Sequence, residues 1–451
     1  MTLTLGRAWP PRNLRIFPKP SAAIVGVSLL LGAALLFPQF ALAQNAAVAS
    51  PTSHVLSLSQ AIDRATTASP KLEAAASGIA AAAGSERQAG LYPNPQASLQ
   101  VENFGGSGPL RGFRSTETTA GVSQLIEMGG KRDARKSVAL ANRKTAETDA
   151  TTARLDLARD VTIAYADALA AQDGVNIAKD TELAARQVLD DVIRRVNAAR
   201  DPLFQRSKAE VAYSTSMVAR KNAEQSSLAA LQRLGRYWGA RTVEETLTDP
   251  VAAHLDAPLP IGIYEARLKD APDFQRYQHL REMREAELRL AQANAVPDIT
   301  ASGGIRQFAG TNSVGFIAGL SIPIPIFNQN QGEIARAQAE LRRVGQERRQ
   351  AEQERSQDLV TAWTNWQTAW LESNTIKDDS LPKAERAFRL ALAGYRSGAF
   401  EYLEVLDAQR TFFEQRASYI RAIAKLHDAR AQTERLAPVT DQANQNMGPS
   451  Q

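Results

Sequence analysis

Few residues in this chain have the type and spacing that chemistry on a ligand requires. Its four histidines, His54, His254, His279 and His427, are scattered and form no i, i+4 pair, so they predict no metal-binding helix. Cysteine is absent, which excludes thiol catalysis, cysteine-held zinc and disulfide scaffolding. Gly129-Gly130-Lys131-Arg132 has the look of a phosphate loop at a helix start. A P-loop, however, needs a glycine where Leu125 stands and Ser or Thr where Arg132 stands, so the segment reads as a strand-to-helix junction. The sequence carries no Ser-His-Asp neighbourhood, HExxH helix or EF-hand loop, so neither an enzyme nor a resident cofactor is expected. Trp363, Trp366 and Trp370 share one helix face and read as packing between neighbouring helices.

The elements that the composition points to are long helices. Aromatic residues make up only 6% of the 451 positions and alanine is abundant, which favours extended helices over a dense globular core. Formal charge is +5, but Arg7, Arg12, Arg15 and Lys19 fall in a leader that contains no acid. The remainder is close to neutral, and nucleic acid is not an expected partner. In that leader, residues 22–37 are almost unbroken in their apolar character, and Ala41-Leu42-Ala43 supplies the small-x-small site that signal peptidase accepts. A cleaved signal peptide over 1–43 is the expectation. An uncleaved anchor is the alternative, but the run is shorter than the ~20 residues a spanning helix needs. No cysteine follows the site to carry a lipid anchor, and no later segment is apolar for long enough to form a transmembrane helix. Export to the periplasm or outer membrane is implied.

The mature chain repeats itself at an offset of about 200 residues. Ala68-Ser69-Pro70 matches Asp270-Ala271-Pro272, and Leu91-Tyr92-Pro93-Asn94-Pro95 matches Ala295-Val296-Pro297-Asp298. Ala120-Gly121-Val122-Ser123 matches Ala318-Gly319-Leu320-Ser321, and Ala209-Glu210 matches Ala408-Gln409. Each match is weak alone; their common order and spacing predict two copies of one unit. The first repeat covers 44–249, the linker 250–260 and the second repeat 261–437. Residues 438–451 read as a disordered tail.

Each repeat has the same expected elements. A short helix (57–68 or 261–270) and a second helix (71–91 or 271–295) end at prolines. Two β-hairpins follow, at about 94–126 and 297–326, where apolar Ala97, Leu99 and Val101, or Ile299, Ala301 and Ile305, alternate with polar residues. A very long helix comes next, 130–200 or 328–397, each about 70 residues and therefore roughly 105 Å. Leu157, Val161, Ala164, Ala168, Ala171, Val175 and Ala178 mark a coiled-coil seam along the first of them. Shorter helices, 202–238 and 401–436, return. One long rod beside two stacked short ones makes a two-rod layer.

Strands of about 10 residues with one apolar and one polar face are the length and pattern that cross a bilayer when tilted. Four such strands cannot close a barrel, because single barrels begin at about 8 strands and an open edge is not tolerated in lipid. Several chains would have to share one barrel, two giving 8 strands or three giving 12 by the same counting.

The residues also resemble the TolC family of outer-membrane efflux channels over essentially the whole mature chain. The most specific segment runs Tyr395-Arg396-Ser397-Gly398-Ala399-Phe400-Glu401-Tyr402-Leu403-Glu404-Val405-Leu406-Asp407-Ala408-Gln409-Arg410. The CzcC-type branch, which serves heavy-metal efflux, is suggested by Gly90-Leu91-Tyr92-Pro93-Asn94-Pro95, Val101-Glu102-Asn103-Phe104-Gly105-Gly106, Ser123-Gln124-Leu125-Ile126-Glu127-Met128-Gly129-Gly130-Lys131-Arg132 and Phe327-Asn328-Gln329-Asn330-Gln331-Gly332. The resemblance implies a mainly α fold with a membrane β part: a homotrimer with a 12-strand barrel in the outer membrane and a helical tunnel in the periplasm. It implies a passive exit duct for divalent metal cations, partnered by a periplasmic adaptor and a resistance-nodulation-division pump of the inner membrane. Adaptor docking would use the helix tips, at Arg200, Asp201, Pro202, Gly398, Phe400 and Glu401. Carried over by position, the gate candidates are Tyr395, Glu404 and Asp407. Glu404 and Asp407 stand three apart, hence on one helical face, and copies of both around a narrow bore would concentrate cations and select against anions. The plainer alternative is a pair of solvated carboxylates, or carboxylates salt-bridged to Arg194, Arg195, Arg200 or Arg410. The matching ring position of the first repeat falls on Gln205, where some relatives have a carboxylate. Export of organic toxicants by the same architecture is the alternative within the family, and a pore-free coiled-coil scaffold the alternative outside it.

Overall fold

The computed structural model of the chain describes residues 55–248 and 256–438. The expected signal peptide, residues 249–255 around the start of the expected linker, and residues 439–451 of the expected tail lie outside the described residues.

The first half begins with a two-residue strand β1 (Val55–Leu56), followed by α1 (Leu58–Ala68) and α2 (Pro70–Ala89). Ser57 starts α1 through a capping box. Its Oγ accepts from the Gln60 backbone N–H, and the Gln60 side chain accepts from the Ser57 N–H. Ser69 ends α1 in an extended conformation and Pro70 opens α2, since its fixed φ suits the first helical position. Strands β2 (Gln96–Glu102) and β3 (Glu117–Ile126) form a hairpin, and α3 (Lys131–Asn197) follows as one unbroken helix of 67 residues. At 1.5 Å per residue it is roughly 100 Å long. Helix α4 (Leu203–Gly235) returns along it and leads to the two-residue strand β4 (Thr246–Leu247).

The order then recurs. Helices α5 (Ile261–Leu268) and α6 (Pro272–Asn294) precede the hairpin β5 (Ile299–Phe308) and β6 (Ser313–Ser321). Helix α7 (Gln331–Thr375), a π turn (Ile376–Ser380) and α8 (Leu381–Ser397) run almost the length of α3, and α9 (Tyr402–Leu436) returns. The π turn marks a difference from α3. Pro382, near the start of α8, has no N–H to donate and its ring presses on the carbonyl of Asp378, which the wider turn accommodates.

Helix α3 packs against α1, α2 and α4 and also against α6 and α9; helix α7 packs against α5, α6 and α9. Each long rod therefore has two shorter ones stacked along it. The expected seam is buried at Leu157, Val161 and Ala168 and joins Leu56, Ala61, Ala65, Ala230 and Leu234 in one apolar cluster. A second cluster holds Tyr264, Phe274, Leu359, Trp366 and Leu426, with Trp363 and Trp370 against it. The tryptophan face is thus helix packing, with Tyr264 edge-on to Trp366 at 5.9 Å. None of the described helices is long and apolar enough to cross a membrane.

Strands β1 and β4 add to the four expected strands. They pair in parallel across the ends of the first half. The Tyr165 hydroxyl sits 2.6 Å from the carbonyl oxygens of both Leu56 and Thr248 and accepts from the Thr248 N–H at 3.1 Å. Two residues are too short a run for any alternation to reveal.

Arg435 ties the two halves together. Its side chain is only 4% exposed, donates to Asp156 of α3 at 2.6 Å and to Asp273 of α6 at 2.8 Å, while Arg355 of α7 reaches Asp273 at 3.2 Å. Burial opposes ionisation of Asp273, but Arg435 and Arg355 outweigh it and hold the carboxyl below its ordinary range. A carboxyl depressed on folding stabilises the fold above its unfolded pKa, and that contribution is lost as pH falls through the lower folded value. Arg435→Ala takes the buried cation from Asp156 and Asp273 and leaves them only Arg159 and Arg355 at their margins, at an expected cost of about 3 kcal/mol. Thermal unfolding of the detergent-solubilised chain should show a lower Tm for the variant near neutral pH and a narrowing gap as the pH falls below the carboxylate range.

Candidate functional site

Two regions could act on a solute, the four-stranded sheet and the helix tips at the far end of the rods. The sheet has the order β2-β3-β5-β6, all antiparallel, so β2 and β6 are free edges. Its register places Ala97, Leu99, Val101, Ala120, Val122, Ala301, Ile305, Val314, Phe316, Ala318 and Leu320 on one face, broken by Thr118, Gln124 and Gln307. That face is open: Leu99 is 72% and Phe316 91% exposed. The opposite face carries Gln96, Ser98, Gln100, Glu102, Glu117, Thr119, Ser123, Thr300, Ser302 and Arg306, broken by Leu125, Phe308 and Ile317. Across it, Arg306 reaches Glu102 at 3.2 Å and Glu117 at 3.0 Å, and donates to the Thr119 hydroxyl at 2.9 Å. One face solvated by water and one by hydrocarbon is the arrangement of a membrane strand.

A polar collar joins sheet to helices. Gly129 and Gly130 have φ of +69° and +74°, and a Cβ at Gly129 would come within 2.9 Å of Val296. This tight left-handed turn brings the Met128 N–H and the Lys131 ammonium to one Asp298 oxygen, at 2.9 and 2.6 Å. Arg135 grips Glu127 with both guanidinium arms. The Gly-Gly-Lys-Arg segment is therefore the junction that its sequence suggested, tied across to the strand-entry residue of the other half.

At the tips, α3 passes to α4 and α8 to α9 through short turns closed by Ala199 (φ +55°) and Gly398 (φ +85°). Arg195 binds Asp201 with two hydrogen bonds, 2.9 and 3.0 Å, and donates to the Tyr395 carbonyl at 2.9 Å. The Tyr395 hydroxyl donates to Asp201 at 2.6 Å, with the Arg195 guanidinium 4.7 Å from the centre of its ring. Arg195 chiefly, with help from Tyr395 and against burial, holds the Asp201 carboxyl below its usual range. Burial, then the Asp201 charge, raises the Tyr395 hydroxyl far above its ordinary value, so it remains a donor. Asp191 makes a second tie, to Arg194 on its own helix and to Arg396 of α8 at 2.9 Å.

These contacts distribute the sequence-derived candidates unevenly. Tyr395 is fully buried, packed beside Tyr402, Val405 and Val192. Asp201 sits inside the tip with its carboxylate committed, whereas Arg200, Pro202, Gly398, Phe400 and Glu401 are exposed. Glu404 and Asp407 are exposed on α9, and among the described residues neither makes an ion pair. Arg194 and Arg195 are engaged elsewhere, with Asp191 and Asp201. Gln205 has a buried Oε1 that no donor in the described residues reaches. The Arg195–Asp201–Tyr395 triangle was not foreseen from the sequence; the six-residue spacing of Arg195 and Asp201 across a helix end was its only local sign. Leu203, Phe204 and Leu403 add exposed apolar side chains at the same end. Among the described residues, no group of three or more His, Asp or Glu side chains is arranged to hold a metal ion.

A membrane-edged sheet on paired helical rods is the architecture of an export duct, and comparison with known proteins agrees. The chain belongs to the outer membrane efflux protein family, whose model matches residues 61–240 and again 263–437. It is 28% identical to the cobalt-zinc-cadmium resistance protein CzcC of Cupriavidus metallidurans over 90% of this chain and 97% of that one. It is 26% identical to the nickel-cobalt-cadmium resistance protein NccC of Alcaligenes xylosoxydans xylosoxydans over 72% of this chain and 70% of that one. A crystal structure of CusC superimposes with a TM-score of 0.72 at 19% identity, covering 84% of this chain and 91% of that one, a likeness that carries the fold. The family is one of efflux channels rather than enzymes, and the outer membrane is its location.

The tip triangle should behave as one unit. Asp201→Asn leaves the Arg195 charge without its counter-ion, and Tyr395→Phe removes one hydrogen bond to a charged acceptor, about 1.5–3 kcal/mol. Hydrogen exchange of the peptides around 192–204 and 393–405 should quicken in both variants, more in Asp201→Asn, with the sheet and the Arg435 region unchanged.

Proposed function

We propose that this chain is the outer-membrane exit duct of a tripartite efflux system and that its cargo is divalent heavy-metal cations. The observation that carries the cargo is the likeness to a cobalt-zinc-cadmium resistance protein along nearly the full length of both chains. The chain acts as a homotrimer, exported by a cleaved signal peptide, without a lipid anchor. Its four-strand sheets join into a 12-strand barrel, and the rods of its two repeats, 44–249 and 261–437, form the periplasmic tunnel. Energy comes from an inner-membrane resistance-nodulation-division pump through a periplasmic adaptor that meets the tips at Arg200, Pro202, Gly398, Phe400 and Glu401.

Glu404 and Asp407 supply the constriction charge. They are free carboxylates near the tip, exposed and lacking an arginine partner among the described residues. A diffusing cation needs no dedicated ligand set, only a bore whose charge favours its entry and whose binding is weak enough for exit. Tyr395, Asp201 and Arg195 hold the two helix turns beside that ring, and Gln205 occupies the corresponding place in the first repeat without charge.

Growth of a deletion strain across divalent metals and organic antimicrobials tests this reading. Expected is sensitivity to zinc, cobalt, cadmium, nickel or copper that the intact gene restores and a Glu404→Gln/Asp407→Asn gene restores only in part. Sensitivity confined to organic compounds would overturn the cargo and leave the duct.

A further inference from the structure

The loop that joins β2 to β3 stands apart from the rest of the sheet. Both strands of each hairpin connect to helices at one end, so residues 103–116 and 309–312 lie together at the other. The second turn, Ala309-Gly310-Thr311-Asn312, is short and uncharged. The first is long and carries Arg111 and Arg114 with no acidic residue between Asn103 and Thr116. The nearest carboxylates, Glu102 and Glu117, are both taken by Arg306. Among the described residues neither Arg111 nor Arg114 forms an ion pair, and both are exposed. Between them Phe113 is 75% exposed, and Phe104 and Leu110 are open as well.

This loop is built rather than slack. Gly105, Gly108 and Gly112 take positive φ, and the Gly105 N–H donates to the Gly112 carbonyl at 3.1 Å. The Arg111 N–H donates to the Gly108 carbonyl at 3.2 Å, and the Ser115 hydroxyl to the Pro109 carbonyl at 2.9 Å. The folded turn therefore holds two exposed guanidiniums and an exposed phenyl ring at one end of a sheet that bares Leu99, Val122, Ile305 and Phe316 on one face. Guanidinium forks match phosphate oxygens, while exposed rings settle at the level where acyl chains meet head groups.

We infer that residues 104–114 form a binding site for phosphate-bearing anionic lipid of the leaflet into which this end of the sheet opens, with Arg111 and Arg114 on the phosphates and Phe113 among the upper acyl chains. The occupant is a lipid rather than a soluble anion because the charges are interleaved with exposed Phe104, Leu110 and Phe113 at the end of a sheet with an open apolar face. The inference rests on the outer-membrane placement and is independent of the metal cargo.

Native mass spectrometry of the full chain in detergent, titrated with lipid A or with lipid A stripped of its phosphates, tests the site. The wild-type chain should bind lipid A more tightly than the stripped lipid, and Arg111→Ala/Arg114→Ala should weaken lipid A binding by about thirty-fold, at roughly 1 kcal/mol for each basic side chain. Phe113→Ala should weaken both lipids alike, and Arg111→Lys/Arg114→Lys, which keeps the charge but loses the planar fork, should bind lipid A between the wild-type chain and the double alanine variant. Equal affinity of the wild-type chain and the double alanine variant for lipid A would overturn the inference. Channel conductance of the same variants in planar bilayers should be unchanged. Loss of conductance in the wild-type chain itself would instead strike at the duct.

Discussion

A β-sheet in hydrocarbon cannot leave its edges open, because each unpaired N–H and C=O in lipid costs several kcal/mol. This constraint governs the molecule. The sheet has a bare apolar face, a polar face and two free edges, and four strands fall short of the eight or so with which single barrels begin. In a bilayer such a sheet would be finished only if β6 of one chain met β2 of another. The close approach within the sheet follows the same need. Gly304 faces Gly121 so tightly that a Cβ there would lie 2.5 Å from the Ala120 carbonyl. Small residues let the strands curve where larger ones would hold them flat.

The helices answer a different requirement, that of reaching far from the membrane while keeping their ends in register. Long seams of small side chains supply contact but little directional information. Polar ties between distant positions supply the rest: Lys131 with Asp298 at the collar, Arg435 with Asp156 and Asp273 midway, and Tyr395 with the Arg195–Asp201 pair at the tip. Each joins elements that sequence separates, and each is shielded enough to matter. The π turn before Pro382 makes the α7–α8 rod unlike α3, so the two halves, alike in element order, differ where the long rod approaches the tip.

Periodicity made much of this legible in advance. The alternation of Ala97, Leu99 and Val101, the 4-3 spacing from Leu157 to Ala168 and the paired prolines place hairpins and rods within a few residues of where they lie. Short or long-range features left no such trace. Strands β1 and β4 have two residues each and owe their pairing to Tyr165, more than a hundred positions from Leu56. Asp201 read as a surface tip residue because nothing local announces that Arg195 folds back to it while Tyr395, in the other half, closes over both. Of the four arginines that local pattern offers Glu404 and Asp407, Arg194 and Arg195 are drawn away by Asp191 and Asp201, and Arg200 and Arg410 form no ion pair with either among the described residues. Local pattern determines where helices run; which charges meet is settled by how the rods pack.

The central claim is that separate chains complete one barrel edge to edge, and engineered disulfides test it directly because the native chain has no cysteine. Leu99→Cys on β2 would be combined in turn with Val314→Cys, Phe316→Cys, Ala318→Cys or Leu320→Cys on β6, all on the same face of the sheet. The account predicts that one register links chain to chain after mild oxidation and yields a covalent ring of three. Failure of every combination to cross-link, with the purified chain folded and monomeric by mass, would contradict it.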